Sequence, residues 1–148
     1  MERTVLDWMV YCLLFIWQLP QNIVGAAMWL YFKLMGDVEK IEATKWSVAY
    51  KSTYMSGGIS LGSFCFLSRY MATRKEYVAH ELKGHTVDSR IMGPFYLLII
   101  GLPSLLNAMF SFTKCYYDFY TEKRANMHAG LKADKYCRLS FRNEKTTV

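Results

Sequence analysis

Two long stretches of this chain carry no charge. Residues 8–32 form a run of 25 between Asp7 and Lys33, and residues 91–113 form a run of 23 between Arg90 and Lys114. A hydrocarbon layer about 30 Å thick takes roughly 20 apolar residues as helix, so each run is long enough to cross or enter a bilayer. Each is also interrupted near its centre. The first holds Gln18-Leu19-Pro20-Gln21-Asn22, and the second holds Gly101-Leu102-Pro103-Ser104 followed by Asn107. Proline removes a helical hydrogen bond and clashes with the carbonyl four residues back, so each run is predicted to be kinked or split. Two forms satisfy that: a bent spanning helix, or a re-entrant hairpin that leaves on the side it entered. The charge bias of the flanks does not choose. Arg74, Lys75, Lys83 and Arg90 precede the second run, and Lys114, Lys123, Arg124 and Lys132 follow it.

The segment between the runs, residues 34–90, is hydrophilic. Its β-leaning stretches around the punctuation Gly57-Gly58 predict a hairpin of residues 46–55 with 59–67. Thr73, with Glu76 three residues later, reads as a capping box opening a helix over 73–86. A polar-aromatic helix is predicted over 116–127, ending near Gly130. The expected fold is an α-rich membrane protein with one small β-hairpin. Its two proline-interrupted apolar segments would surround a strand-helix-helix core. Residues 1–131 form a single membrane-embedded domain, and 132–148 a basic C-terminal tail.

Composition sharpens this picture at three points. Hydrophobic residues make up 53% and charged residues 20%, which excludes a disordered chain or a coiled coil. The near-neutral mean hydropathy of +0.06 averages two apolar runs with a hydrophilic remainder, and it argues against a soluble enzyme. The first run lacks a basic start and a small-x-small cleavage site, so it reads as retained rather than as a signal peptide. Net charge is +6. Basic residues of the tail (Lys132, Lys135, Arg138, Arg142, Lys145) are expected to meet anionic lipid headgroups on the cytoplasmic side rather than nucleic acid. Cys12, Cys65, Cys115 and Cys137 fall in four separate segments. That spacing matches no zinc ribbon or thioredoxin-like pair, and no disulfide framework is expected from it.

The candidate chemistry lies in His80-Glu81-Leu82-Lys83-Gly84-His85 and in Thr121-Glu122-Lys123-Arg124-Ala125-Asn126. Zincin metalloproteases use H-E-x-x-H, where two histidines one helical turn apart hold zinc and the glutamate activates its water. One branch takes a third ligand from a downstream E-x-x-A-D; here Glu122 heads such a run, with Asn126 in the last place. His80 and His85 are five residues apart, about 140° around a regular α-helix, where four residues would leave about 40°. Three outcomes remain open at this level. A single π-turn would return both histidines to one face. Glu81 and His85, at i,i+4, could be the pair instead. Or the helix holds no metal.

The chain resembles small uncharacterised bacterial membrane proteins. Shared are Trp17-Gln18-Leu19-Pro20-Gln21-Asn22, the Gly57-to-Gly62 segment, Gly84-His85 through Ser89-Arg90, Gly93-Pro94 through Leu97, Gly101-Leu102-Pro103-Ser104 and Phe119-Tyr120-Thr121-Glu122-Lys123. In those proteins the histidine motif reads H-E-x-G-H, one residue shorter. The resemblance implies an integral protein of the bacterial cytoplasmic membrane with a zincin-like site. His80, His85 and Glu122 would bind zinc, with Glu81 as general base. The function so implied is a membrane metalloprotease, or a catalytically degenerate relative of one, acting on a peptide or membrane-protein substrate. The alternative is a non-catalytic membrane protein assisting or scaffolding a partner.

Other residues have simpler readings. Asp88 is a solvated helix charge or an orienting partner for a histidine, and Asn126 would support a ligand from behind. His128 is an exposed helix-end histidine. Tyr116 to Tyr120 read as an interfacial aromatic belt. Asn22 and Asn107 would tie neighbouring helices. The edge of strand 59–67 could take an extended substrate by β-addition. One geometric condition governs the site. If residues 91–113 crossed a bilayer once, about 30 Å would separate His85 from Glu122. A shared metal therefore requires the run to reverse, and Gly101-Leu102-Pro103-Ser104 is the predicted place.

Overall fold

The computed structural model of the chain describes residues 4–142; the last tail residues, with Glu144 and Lys145, lie outside them. Helix α1 (Val5–Trp17) opens with a reciprocal cap between Thr4 and Asp7. It meets α2 (Leu19–Leu34) at a 94° bend on Gln18, two residues before Pro20. Side chains repair that break. The Gln18 amide donates to the Leu14 carbonyl at 2.9 Å, and the Asn22 amide donates to the Phe15 carbonyl at 2.9 Å. Carbonyls freed by the bend thus find partners within the chain, as they must wherever water is scarce.

The Gln18–Asn22 segment also anchors the rest of the molecule. Ser89 donates to Gln18 Oε1 at 2.7 Å, and Gln21 donates to Ser89 Oγ and to the Gly93 carbonyl. Asn22 Oδ1 accepts the Ser63 amide at 2.7 Å. These helices leave most of their large apolar side chains exposed. α1 buries no residue, and α2 buries Gln21, Asn22, Gly25 and Phe32 while Leu19, Ile23, Val24, Leu30 and Leu34 are exposed.

After α2 come β1 (Glu39–Ala43), β2 (Val48–Lys51), β3 (Gly58–Leu61) and β4 (Phe64–Leu67), in one sheet of order β1-β2-β4-β3. The fold is α-rich with a small sheet, as expected, but the pairing differs. β3 and β4 form a hairpin turned by Gly62-Ser63 that, apart from Gly58, lies within the stretch 59–67 read as one strand. β2 pairs with β4 in parallel, and its antiparallel partner is β1. Gly57-Gly58 makes no hairpin turn; the Gly57 carbonyl instead accepts the Ser68 amide. β1, with sequence Glu-Lys-Ile-Glu-Ala, was too charged to register as a strand. It is an edge strand, where charge is the usual protection against further pairing.

The helical region starts with α3 (Arg69–Ala72), so Thr73 caps the end of α3, its hydroxyl on the Tyr70 carbonyl, and opens no capping box. α4 (Lys75–Ala79) runs into a π-turn over His80–His85 and on into α5 (Thr86–Met92). This composite helix packs between the sheet and α7. Leu82 and Val78 meet Ala49, Cys65 and Leu67 on one side, and Ala79 meets Tyr117, Leu131 and Leu139 on the other.

The second apolar run does reverse direction. The helical stretches before and after Tyr96 meet at 120°. The reversal comes earlier than predicted, following Gly93, whose φ of +53° is open to glycine but strained for other residues. Gly101 to Ser104 does not turn the chain. A second π-turn, Leu97–Gly101, runs directly into α6 (Leu102–Phe110), so Pro103, which has no N–H to give, follows a widened turn rather than a break. No single helix among the described residues is long and apolar enough to cross a membrane; the two bent pairs pass that test only jointly.

Beyond a short 3₁₀ turn at Tyr116–Asp118, α7 (Tyr120–Ala129) ends at Gly130 in the left-handed region, where the sequence placed its stop. The start of the tail is structured, as β5 (Leu131–Ala133) paired with β6 (Leu139–Phe141). A disulfide joins Cys115 to Cys137, contrary to the reading of four isolated cysteines. The two halves are 22 residues apart in sequence and meet only because the β5–β6 hairpin folds back beside the 3₁₀ turn. Spacing alone carries no trace of that.

Candidate metal centre

His80 and His85 share one face because the π-turn spans the interval between them. An i→i+5 turn brings the fifth residue under the first, so the five-residue spacing that defeats an α-helix suits a π-turn. The two imidazole rings lie 4.8 Å apart, nearly perpendicular. Gly84 lets α7 come close: a Cβ there would fall 2.6 Å from the Ala125 carbonyl oxygen.

That approach delivers Glu122. Its Oε2 lies 2.9 Å from His80 Nε2 and 3.2 Å from His85 Nε2, and all three residues are buried. One turn further along α7, Asn126 Oδ1 sits 2.9 Å from His80 Nδ1. An amide oxygen can only accept, so His80 Nδ1–H donates to Asn126. Burial alone would push the Glu122 carboxyl up. The hydrogen bonds from His80 and His85 overcome this and hold it well below the usual carboxylate range.

The opposite oxygen of Glu122 is also occupied. Oε1 accepts Ser104 Oγ at 2.5 Å and Thr121 Oγ1 at 2.9 Å. Tyr116 OH lies 3.0 Å from Ser104 Oγ. Because an ionised Glu122 takes the single Ser104 proton, Tyr116 is the donor in that pair.

Glu81 comes from the same π-turn and turns toward β3. Ser60 Oγ reaches its Oε2 at 2.7 Å and its main-chain carbonyl at 3.0 Å. His80, Glu81 and His85 each offer a ligand-type atom within 4.8 Å of the others, a buried group able to hold a metal ion. Glu81 and His85 also face a cavity of about 310 Å³. Its walls are β3 on one side and Leu97, Leu102, Leu105 and Tyr116 on the other.

The residues singled out from sequence therefore meet, with exceptions in the supporting roles. Asn126 does stand behind a histidine. Asp88 makes no hydrogen bond to His80 or His85. It is fully buried, and its Oδ1 accepts Arg124 at 2.8 and 3.1 Å and His128 at 3.2 Å. His128 is accordingly a buried carboxylate's partner and not merely a helix-end residue. Tyr116 lines the cavity instead of joining a belt. Asn22 and Asn107 bond mainly to backbone at chain reversals, Asn107 to Phe112 and Tyr116. Missed altogether were Ser60, Ser104 and Thr121. Ser104 had one visible signal, its place beside Pro103 in an otherwise apolar run.

Comparison with protein-family models, with curated proteins and with solved structures finds no match to this chain.

Proposed function

We propose that the chain is a membrane-embedded, zincin-like metallopeptidase. The observation that carries this reading is the convergence of two imidazole Nε2 atoms on one buried carboxylate oxygen. Ligands about 2.0–2.2 Å from a tetrahedral zinc lie roughly 3.3–3.6 Å from one another. The distances of 2.9 and 3.2 Å approach that spacing, so the donor set fits a zinc ion with little rearrangement. His80 and His85 would hold it through Nε2 and Glu122 through Oε2. Zinc so bound would supply Lewis acidity and a water acidic enough to ionise near neutral pH.

The chain's own residues account for the remaining work. Glu81 takes the proton of the attacking water and returns it to the leaving amine. Ser60 fixes the Glu81 carboxylate toward the cavity. β3 is an edge strand beside Glu81, suited to align an extended peptide by strand addition. The membrane setting is supported by the exposed apolar faces. α6 buries only Asn107 while Leu102, Leu105, Met109 and Phe110 are exposed, and α1 and α2 expose Leu6, Leu13, Ile16, Ile23, Val24 and Leu30. Exposed apolar surface on this scale marks a lipid or partner contact. Both bent pairs would enter the bacterial cytoplasmic membrane and return, leaving the zinc ligands near one surface.

The test uses detergent-solubilised protein. Glu81→Gln is expected to keep zinc and lose peptide hydrolysis, since an amide cannot take the water's proton; His85→Ala is expected to lose zinc itself. Stoichiometric zinc in wild type without hydrolysis of any peptide offered would leave a metal-binding module and refute the peptidase.

A further inference from the structure

The second oxygen of Glu122 carries information that a ligand list omits. Oε1 is held by two hydroxyls, and the closer one belongs to Ser104 of α6, which also forms a wall of the cavity. Thr121 is the neighbour of Glu122 on its own helix and moves with it. Ser104 is 18 residues away, on the arm of the apolar hairpin, and is fixed in turn by Tyr116. A carboxylate with one oxygen committed to two donors can offer a metal only the other.

We propose that Ser104 is a positioning residue for the metal centre: it holds Glu122 as a one-oxygen ligand and couples the seating of the apolar hairpin to metal affinity. The inference rests on the metal reading above and goes beyond it, because it assigns a task to the Gly101-Leu102-Pro103-Ser104 segment. The π-turn before Pro103 leads into α6 and sets the course of its first turn, and Ser104 lies in that turn. Removing the hydroxyl leaves Oε1 with Thr121 alone. Glu122 is then free to rotate and to present both oxygens. Loss of an orienting partner behind a metal ligand typically costs 10–100-fold in affinity.

Zinc affinity is measured by chelator competition on the purified full chain in detergent, with cobalt(II) substitution as a spectroscopic reporter. Ser104→Ala is expected to weaken zinc binding about 10–100-fold. Its cobalt spectrum should lose intensity as the ion moves from four ligands toward five. Ser104→Thr, which restores the hydroxyl, should recover both. Leu105→Ala, which trims the cavity wall without touching Glu122, should leave affinity within about twofold of wild type. Unchanged affinity and spectrum in Ser104→Ala would overturn the assignment while leaving the metal site standing. Equal weakening in Leu105→Ala would overturn it too, by showing a general effect of the hairpin. A wild-type chain that binds no zinc would remove the reading beneath it.

Discussion

Deleting Lys83 turns the motif into His-Glu-Leu-Gly-His, with the histidines spaced i,i+4 instead of i,i+5. In a regular α-helix that deletion would rotate every later residue by about 100° and scramble the packing of α5. Here the π-turn already contains one residue more than an α-turn needs, so its removal should let the segment relax to α geometry. Four α-helical residues turn about 400°, only about 40° beyond a full circle, and the two imidazoles would still share a face. The side chain lost is cheap. Lys83 is exposed, and its pairing with Glu42 is a 4.0 Å contact between side chains half in solvent. Such surface pairs contribute about 0–1 kcal/mol. The expected outcome is a folded protein with wild-type zinc stoichiometry and stability changed by no more than about 1 kcal/mol. Deletion of Val87, in the regular turn of α5, is the control. It swings Asp88 away from Arg124 and His128, and breaking a buried charged pair costs about 3–5 kcal/mol. Denaturant titration and metal analysis of both deletions decide the matter. A Lys83 deletion that folds but loses zinc would refute the claim that the π-turn aligns the histidines.

Two further outcomes follow from other parts of the fold. Asp37 Oδ2 accepts Thr53 and Ser52 hydroxyls, and these hydrogen bonds lower its carboxyl from 3.8 to about 2. A depressed folded value means the stabilisation is present above about pH 4 and is lost as pH falls toward 2. The gap in melting midpoint between wild type and Asp37→Asn should therefore close over that window, and a constant gap would contradict the assignment. The Cys115–Cys137 link closes a 22-residue loop, for which chain entropy predicts about 3 kcal/mol of stability. Cys137→Ser should lose about that much in a denaturant titration under oxidising conditions and match wild type once both are reduced; equal stability before reduction would show that the link is not formed.

The parts of this molecule visible in the sequence were those governed by local rules. Charge-free length located both apolar runs, Pro20 located the break in the first, and Gly130 located the stop of α7. The metal candidates were legible because metal ligation restricts residue types, and because the five-residue spacing brings His80 and His85 to one face only through a π-turn. What escaped depends on pieces distant in sequence. β1 was hidden because edge strands carry charge, and the β3–β4 hairpin because Gly57-Gly58 looks like a stronger turn than Gly62-Ser63. The reversal at Tyr96 was misplaced because Gly101-Leu102-Pro103-Ser104 holds the more obvious breaker, whereas the π-turn ahead of Pro103 lets the helix continue through it. Ser60, Ser104 and Thr121 are serines and threonines without a motif, and only the fold brings them to Glu81 and Glu122. The disulfide likewise becomes visible only when β5 and β6 pair.

Metal content is the most direct test of the central claim. Wild-type chain and the variants His80→Ala, His85→Ala and Glu122→Ala, purified in detergent without chelator, are equilibrated with zinc, desalted and analysed for bound metal. The account predicts close to one zinc per wild-type chain and its loss in all three variants, with helical content preserved by circular dichroism. A folded wild-type chain that retains no zinc, or a His80→Ala or His85→Ala chain that retains it fully, would contradict the site.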